Sequence, residues 1–284
     1  MHKLGFIFVA LMAISVPAVA AEKLDSGNLF VFSDGTDIES KGARELQLEW
    51  LGRFGKRDGH YTAFSPAAQT NFVIADGLQI GPGASFAYHD IAGVTDLDDM
   101  RHFGFDGLSF ETKYQVIDRA RTGTGVMVIA KPRWSRIDAT SGQLANRYGS
   151  DFALLADREL VPDRVLAALN LVYGGGATRS RPDGEWTRDS SLGIGAAFSV
   201  RVHGDIFVGT EFRYQRQYEG LAFNNFTGHG VFAGPVIYAK ISERMWIAAG
   251  WSAQVAGRTA GDPAPLDLAN FERHQAKVKV GYSF

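Results

Sequence analysis

The sequence predicts an all-β protein, a transmembrane antiparallel up-and-down β-barrel of about 12 strands. Three observations point there. Apolar residues alternate with polar or small ones over long segments, short and long connections alternate along the chain, and the first twenty residues have the form of a secretory signal.

The signal comes first. His2 and Lys3 make a short polar start, an apolar run fills 4–16, Pro17 breaks it, and Ala18-Val19-Ala20 supplies the small-x-small cleavage pattern. The run is too short to span hydrocarbon as a helix. Cleavage is expected between Ala20 and Ala21, which divides the chain into a signal peptide (1–20), an N-terminal periplasmic or lumenal segment (21–42) and the barrel (43–284). Loss of Lys3 takes the formal charge from -2 to -3. That near-neutral balance argues against a nucleic-acid partner. With no cysteine, the chain has neither disulfides nor a thiolate metal site. The 33 glycines, 12% aromatic content and mean hydropathy of -0.08 suit a barrel in which only every second strand residue meets lipid.

Residues 21–42 depart from the strand pattern: an apolar patch (Leu29, Phe30, Val31, Phe32) precedes an acidic, Gly-containing stretch. The segment reads as a periplasmic lead-in or as one tucked into the lumen. Strands are then expected at 43–53, 69–76, 78–90, 104–118, 123–136, 149–161, 164–175, 188–202, 205–219, 228–241, 245–257 and 271–284. In the first, Leu46, Leu48 and Trp50 oppose Glu45, Gln47 and Glu49. In the fourth, Leu108, Phe110, Tyr114 and Val116 oppose Ser109, Glu111, Lys113 and Gln115. The eighth sets Leu192, Ile194, Phe198 and Val200 against Ser191, Gly193, Ser199 and Arg201. The ninth sets Ile206, Val208, Phe212 and Tyr214 against Gly209, Glu211, Arg213 and Gln215. The eleventh carries Met245, Ile247, Trp251 and Val255 on one face. The last alternates cleanly, with Ala276, Val278, Val280, Tyr282 and Phe284 against Gln275, Lys277, Lys279 and Ser283.

The short connections are 76–77, 119–122, 162–163, 203–204 and 242–244. The long ones are 54–68, 91–103, 137–148, 176–187, 220–227 and 258–270. Short periplasmic turns and longer outer loops follow the barrel rule, and both chain ends fall in the periplasm. A soluble β-sandwich also alternates, but its strands are typically about five or six residues. Segments near ten match a tilted bilayer crossing.

The opening FSDGTDIESKGARELQLEW and the ending FERHQAKVKVGYSF resemble the "MetA-pathway of phenol degradation" family of outer-membrane transporters. Gly35-Thr36-Asp37, Lys41-Gly42 and the terminal Phe284 carry the resemblance. It implies a transport barrel in the cell outer membrane and a small aromatic or hydrophobic compound as solute. The family offers no catalytic residues. A terminal aromatic is common to the class, and Phe284 is expected to be the signal read by the barrel assembly machinery. The other expected partners are outer-membrane lipid, lipopolysaccharide and the solute.

Some outer-membrane barrels are enzymes that pair His with Ser, which needs the two groups within hydrogen-bond reach. The candidates are His60 with Ser65, His89 with Ser85, and His229 with Ser252. No motif supports them, and such histidines are more often solvated or structural. The acidic outer run Asp96, Asp98 and Asp99 with His102 reads as a solvated loop, and no zinc-ligand spacing occurs. Gly174-Gly175-Gly176 and Gly81-Pro82-Gly83 join no strand to a helix and are not nucleotide loops. No catalytic residue, metal or cofactor is assigned. The expected function is passive passage of small solutes. A lipid-acting barrel enzyme and a non-conducting structural barrel stand as alternatives. By alternation, Glu111, Lys113, Lys131, Arg133, Glu211 and Arg213 lie mid-strand on the lumen face and are the expected selectivity residues. Cross-lumen ion pairs that merely brace the wall are an equally good reading of any one of them.

Overall fold

The computed structural model describes residues 24–181 and 184–284; the expected signal peptide lies outside them. Twelve strands are found among the described residues: β1 (Arg44–Phe54), β2 (His60–Ala75), β3 (Leu78–Ala92), β4 (Met100–Ile117), β5 (Thr124–Ile137), β6 (Leu144–Val161), β7 (Val165–Ser180), β8 (Trp186–His203), β9 (Ile206–Glu219), β10 (Asn225–Ser242), β11 (Met245–Thr259) and β12 (His274–Ser283). Each pairs antiparallel with its sequence neighbours. β1 closes on β12, with Glu45 opposite Ser283 and Phe54 opposite His274. Closure leaves no sheet edge whose amides would go unpaired in hydrocarbon.

The pleat separates two environments. Leu108, Phe110, Tyr114, Ile194, Phe198, Phe212, Trp251 and Val255 point outward and are exposed, whereas Glu111, Ala197, Glu211, Ser252 and Gln254 point inward and are buried. An apolar outer face and a polar inner one are what a bilayer requires of a barrel.

Most strands are longer than expected and most outer connections shorter, although β12 begins at His274 rather than 271 because 271–273 belong to the connection that folds inward. β2 begins at His60, so the predicted loop 54–68 shrinks to 55–59. Pro66 lies within this strand. It pairs with Trp50 on β1, but the β2–β3 ladder skips Ser65 and Pro66, so the missing N–H falls in a local irregularity. β4, β6, β7, β8 and β10 also run on past their expected outer ends. The β4–β5 turn is a single helical turn, α1 (Arg119–Thr122), capped by the Asp118 side chain accepting from Ala120 N at 2.9 Å.

Residues 24–43 enter the barrel from the periplasmic end, reach an apex at Phe32–Asp34 and return to β1. The ascending limb packs through its apolar residues: Leu24, Leu29 and Phe30 lie on Leu166, Ala168, Ala197 and Phe207, and Val31 on Val236, Trp246 and Ala248. The returning limb sets Ile38 against Met127, Ile129 and Leu155. Burying each large side chain contributes about 1.5–3 kcal/mol. Ser26 ties the limbs together, its Oγ accepting from Thr36 N and Asp37 N, both at 3.1 Å. Gly35 is needed at that crossing, because a Cβ there would overlap the Ser26 backbone and side chain.

Candidate functional site

The lumen is built from inward side chains of nearly every strand. Between the plug and the opposite wall lies a cavity of about 230 Å³, with Asp34 on one side and Glu49, Glu111, Lys113, Lys131 and Lys277 among the groups facing it. Lys279, Asp151, Gln47 and Gln69 complete its polar lining. Lys131 and Lys113 approach the Glu111 carboxylate at 3.2 and 3.5 Å, Lys277 approaches Glu49 at 3.0 Å, and Arg133 approaches Asp151 at 3.3 Å. Gln69 bridges them, donating to Glu111 at 2.9 Å and accepting from Lys131 at 3.1 Å. Charges removed from water need partners, and the pairs around Glu111 and Glu49 supply them. A narrower cleft of about 30 Å³ continues from Lys113 past Gln79, Asn71 and Glu45 beside the plug toward the periplasmic rim.

The plug is held by wall groups that replace its missing backbone partners. Glu211 of β9 accepts from Val31 N at 2.7 Å, Phe32 N at 3.1 Å and Ser33 N at 2.6 Å. Three successive N–H groups converging on one carboxylate form an anion nest closed by a side chain. Asn170 exchanges two hydrogen bonds with the Asp34 backbone, and Asp157 accepts from Thr36 N and Oγ1 at 2.8 and 2.7 Å. Arg119 reaches in from α1 to Asp37, the Leu24 carbonyl, Asp157 and Glu159. Lys279 donates to the Phe30 carbonyl at 3.1 Å, and the Arg213 guanidinium lies 4.1 Å from the Phe32 ring centre. Gly125 makes room for this docking: a Cβ there would overlap Thr36 and the Asp157 carboxylate.

Asp34 stands at the plug apex among the lysines. Burial pushes its carboxyl up, but the ammonium groups of Lys113, Lys279, Lys277 and Lys131 outweigh burial and hold it well below its ordinary value.

The outer mouth is narrowed by two connections folded inward. In 260–273, Asp267, Leu268, Phe271 and Glu272 are buried. Lys56 donates to the Ala269 and Phe271 carbonyls at 3.1 and 3.0 Å, and Phe271 meets Phe232 edge to face. In 138–143, Thr140 accepts from the Tyr61 hydroxyl and Ala139 lies 3.0 Å from His89 Nε2.

Of the six expected selectivity residues, Glu111, Lys113 and Lys131 line the cavity together, and Arg133 pairs with Asp151 on its border. Glu211 and Arg213 contact the plug, and Arg213 also donates to Ser252 and Gln275. Alternation could not distinguish wall charges that face water from those that face a folded-in segment. One signal was available: Glu211 lies opposite Ala197 and Gly234, small residues that leave space before it. Asp34, Gln69, Asn170 and Arg119 were not anticipated, three because they are neutral or outside the strands and Arg119 because it reads as a turn residue. The His–Ser candidates have other partners. Ser85 donates to Asp106, Ser65 accepts from Arg53, and His229 and Ser252 occupy opposite faces of the wall. Asp99 accepts from Gly93 N and Asp98 from Gln143, as loop-ordering groups do. Among the described residues, no group of three His, Asp or Glu side chains is placed to hold a metal ion.

A model of a family of unknown function (DUF6662) matches residues 22–284. This is not the family that the chain ends resemble; what stands of the resemblance is the outer-membrane-type barrel. No curated protein matches the sequence. Among solved structures, the COG4313 outer membrane channel from Pseudomonas putida F1 is similar at 11% identity, over 92% of this chain and 100% of that one, with a TM-score of 0.64. The β domain of the Bordetella autotransporter BrkA is similar at 13% identity, over 86% and 100% of the two chains, with a TM-score of 0.55. At such identities the likeness is one of fold.

Proposed function

We propose that this chain, which belongs to the DUF6662 family of unknown function, is a passive outer-membrane channel for small solutes. The observation that carries the reading is the charged cavity beside the plug and its continuation toward the periplasm. A barrel of this strand number need not keep an aqueous interior, and a purely structural one would close it with side chains. Here four lysines and four carboxylates line the open space, and charged groups lining a narrow path are what set selectivity in pores. The similarity of fold to an outer membrane channel supports the same reading. The lining favours small polar or charged solutes. Ala67, Ile129, Ala153 and Val172 give the same cavity an apolar side, against which a small aromatic or hydrophobic solute, as the resemblance implies, would also pack.

The plug and the inward outer connections favour a second reading, a non-conducting structural barrel. Planar-bilayer recording of the folded protein separates the two. The channel reading expects small, discrete, ohmic steps. Many verified insertions without a step would overturn it.

A further inference from the structure

Most charges lining the lumen cavity are ion-paired, whereas a cluster of basic side chains on the outside of the barrel makes no close salt bridge among the described residues. Arg216 on β9 is directly opposite His229 on β10, and His229 is directly opposite Arg258 on β11. Directly opposed residues share a sheet face, with neighbours about 4.5–5.5 Å apart. That face is the lipid side: Phe212 and Val255 below the row are exposed, while Gln254 in the alternate register is buried inside.

The height of the row follows from strand geometry. The outward residues of β9 below it are Ile206, Val208, Thr210, Phe212 and Tyr214. From Ile206 to Arg216 the strand rises about 34 Å at 3.4 Å per residue. With a tilt of about 40° that is roughly 26 Å along the membrane normal, the height of a barrel's apolar band. The row therefore stands where outer-leaflet hydrocarbon gives way to headgroups, at the end away from the short turns.

Its surroundings position these side chains mainly through aromatic contacts. The Arg216 guanidinium lies 4.7 Å from the Phe226 ring centre and 5.2 Å from that of Tyr218, yet its Nε is buried with no hydrogen-bond partner. His229 stacks on Phe226 at 6.0 Å and leans on Tyr214 at 5.7 Å. Arg258 is exposed, its Nε donates to the Asp262 backbone carbonyl at 3.4 Å, and its charge acts on the Asp262 carboxylate. The Asp262 carboxylate is engaged by Arg57. Tyr214, Arg216, Phe226, His229 and Arg258 line one outward groove of about 480 Å³, floored by 259–261. A guanidinium held against aromatic faces with a free N–H edge, beside an imidazole and an exposed second guanidinium, suits an oxyanion of high charge density.

We infer that Arg216, His229 and Arg258 form a binding site for the phosphorylated headgroup of an outer-leaflet glycolipid, the lipopolysaccharide class. The site is independent of whether the lumen conducts. Phosphate oxygens would take the free edges of the two guanidinium groups, and the acyl chains would lie down the apolar face of β9–β11.

The test uses the folded chain in detergent, with purified rough-type lipopolysaccharide as probe and bound lipid read by native mass spectrometry and titration. Wild type is expected to bind it, and Arg216→Gln with Arg258→Gln to bind at least tenfold more weakly. The same lipid with its phosphates removed should bind as weakly to wild type as the intact lipid does to the variant. Inorganic phosphate or phosphatidylglycerol at equal phosphate concentration should not compete. Arg44→Gln with Arg158→Gln removes two arginines at the periplasmic end and should leave binding unchanged. Undiminished binding by the Arg216/Arg258 variant, equal loss in the control, or full competition by phosphate or phosphatidylglycerol would overturn the assignment. Should the double variant fail to fold, Arg258→Gln alone, an exposed position, carries the same expectation.

Discussion

Glu211→Ala is the change that most directly releases the plug. The carboxylate is 2% exposed and accepts from three consecutive backbone N–H groups at 2.6–3.1 Å. Hydrogen bonds to a charged group contribute about 1.5–3 kcal/mol each, so simple addition gives an upper bound of about 9 kcal/mol. Alanine also ends the burial of a carboxylate, which returns part of that sum. The net loss is expected at about 3–5 kcal/mol, as when one partner of a buried charged contact is removed. At 1.4 kcal/mol per factor of ten, docking weakens by about 10²–10³·⁵. Hydrogen exchange over 24–42 measures it directly in the detergent-folded protein. Protection of the Val31, Phe32 and Ser33 amides should fall by that factor while the strand amides keep theirs. Glu211→Gln retains one acceptor oxygen but turns an N–H₂ toward the nest, and should fall between. In bilayers the alanine variant should give larger steps than wild type. Unchanged protection at residues 31–33 in an intact barrel would refute the reasoning, because the nest would then hold nothing.

Three further outcomes are expected. Gly125→Val places a branched side chain where Thr36 and Asp157 now meet, and should destabilise the docked plug by about 1–3 kcal/mol, read as faster exchange at 35–37 with no change at the apex anchors. Lys131→Glu changes the cavity from four lysines against four carboxylates to three against five, so the reversal potential under a KCl gradient should move in the cation-selective direction; no movement would remove Lys131 from the path. The Asp34 carboxyl is held below its ordinary value of 3.8, so its contribution to docking is fully present above that value and is lost only as pH falls through the depressed folded value. Plug protection should therefore stay flat from pH 7 to about 4, and Asp34→Asn should lower it throughout that range.

The barrel was legible because hydrophobic alternation is a one-dimensional record of which face meets lipid. β12 shows it best: Ala276, Val278, Val280 and Tyr282 alternate with two lysines that face the lumen. The pattern fades where a strand leaves the membrane, since both faces there are wet. That is why 144–148, 176–180 and 225–227 read as loops although they pair within β6, β7 and β10. The first half of β2, 60–68, likewise lay inside an expected outer connection. The plug was half legible: Leu29–Phe32 stood out as apolar, yet its docking depends on Glu211, Asp157, Asn170 and Arg119, distant in sequence and identifiable as partners only once the barrel closes. The polar content of the cavity was expected from alternation, but its position was not, because the side of the lumen left open is decided by where the plug packs.

A conducting barrel must pass ions through the cavity between Asp34 and the wall that carries Glu49, Glu111, Lys131, Ala153 and Lys277. The chain has no cysteine, so one introduced thiol is unique. Ala153→Cys places it in the cavity lining, and Phe152→Cys places it one residue away on the lipid face. During single-channel recording, a charged, water-soluble thiol reagent should reduce the conductance of Ala153→Cys in a discrete step and leave Phe152→Cys unaffected. Ala153→Cys conducting identically before and after confirmed modification would contradict the account.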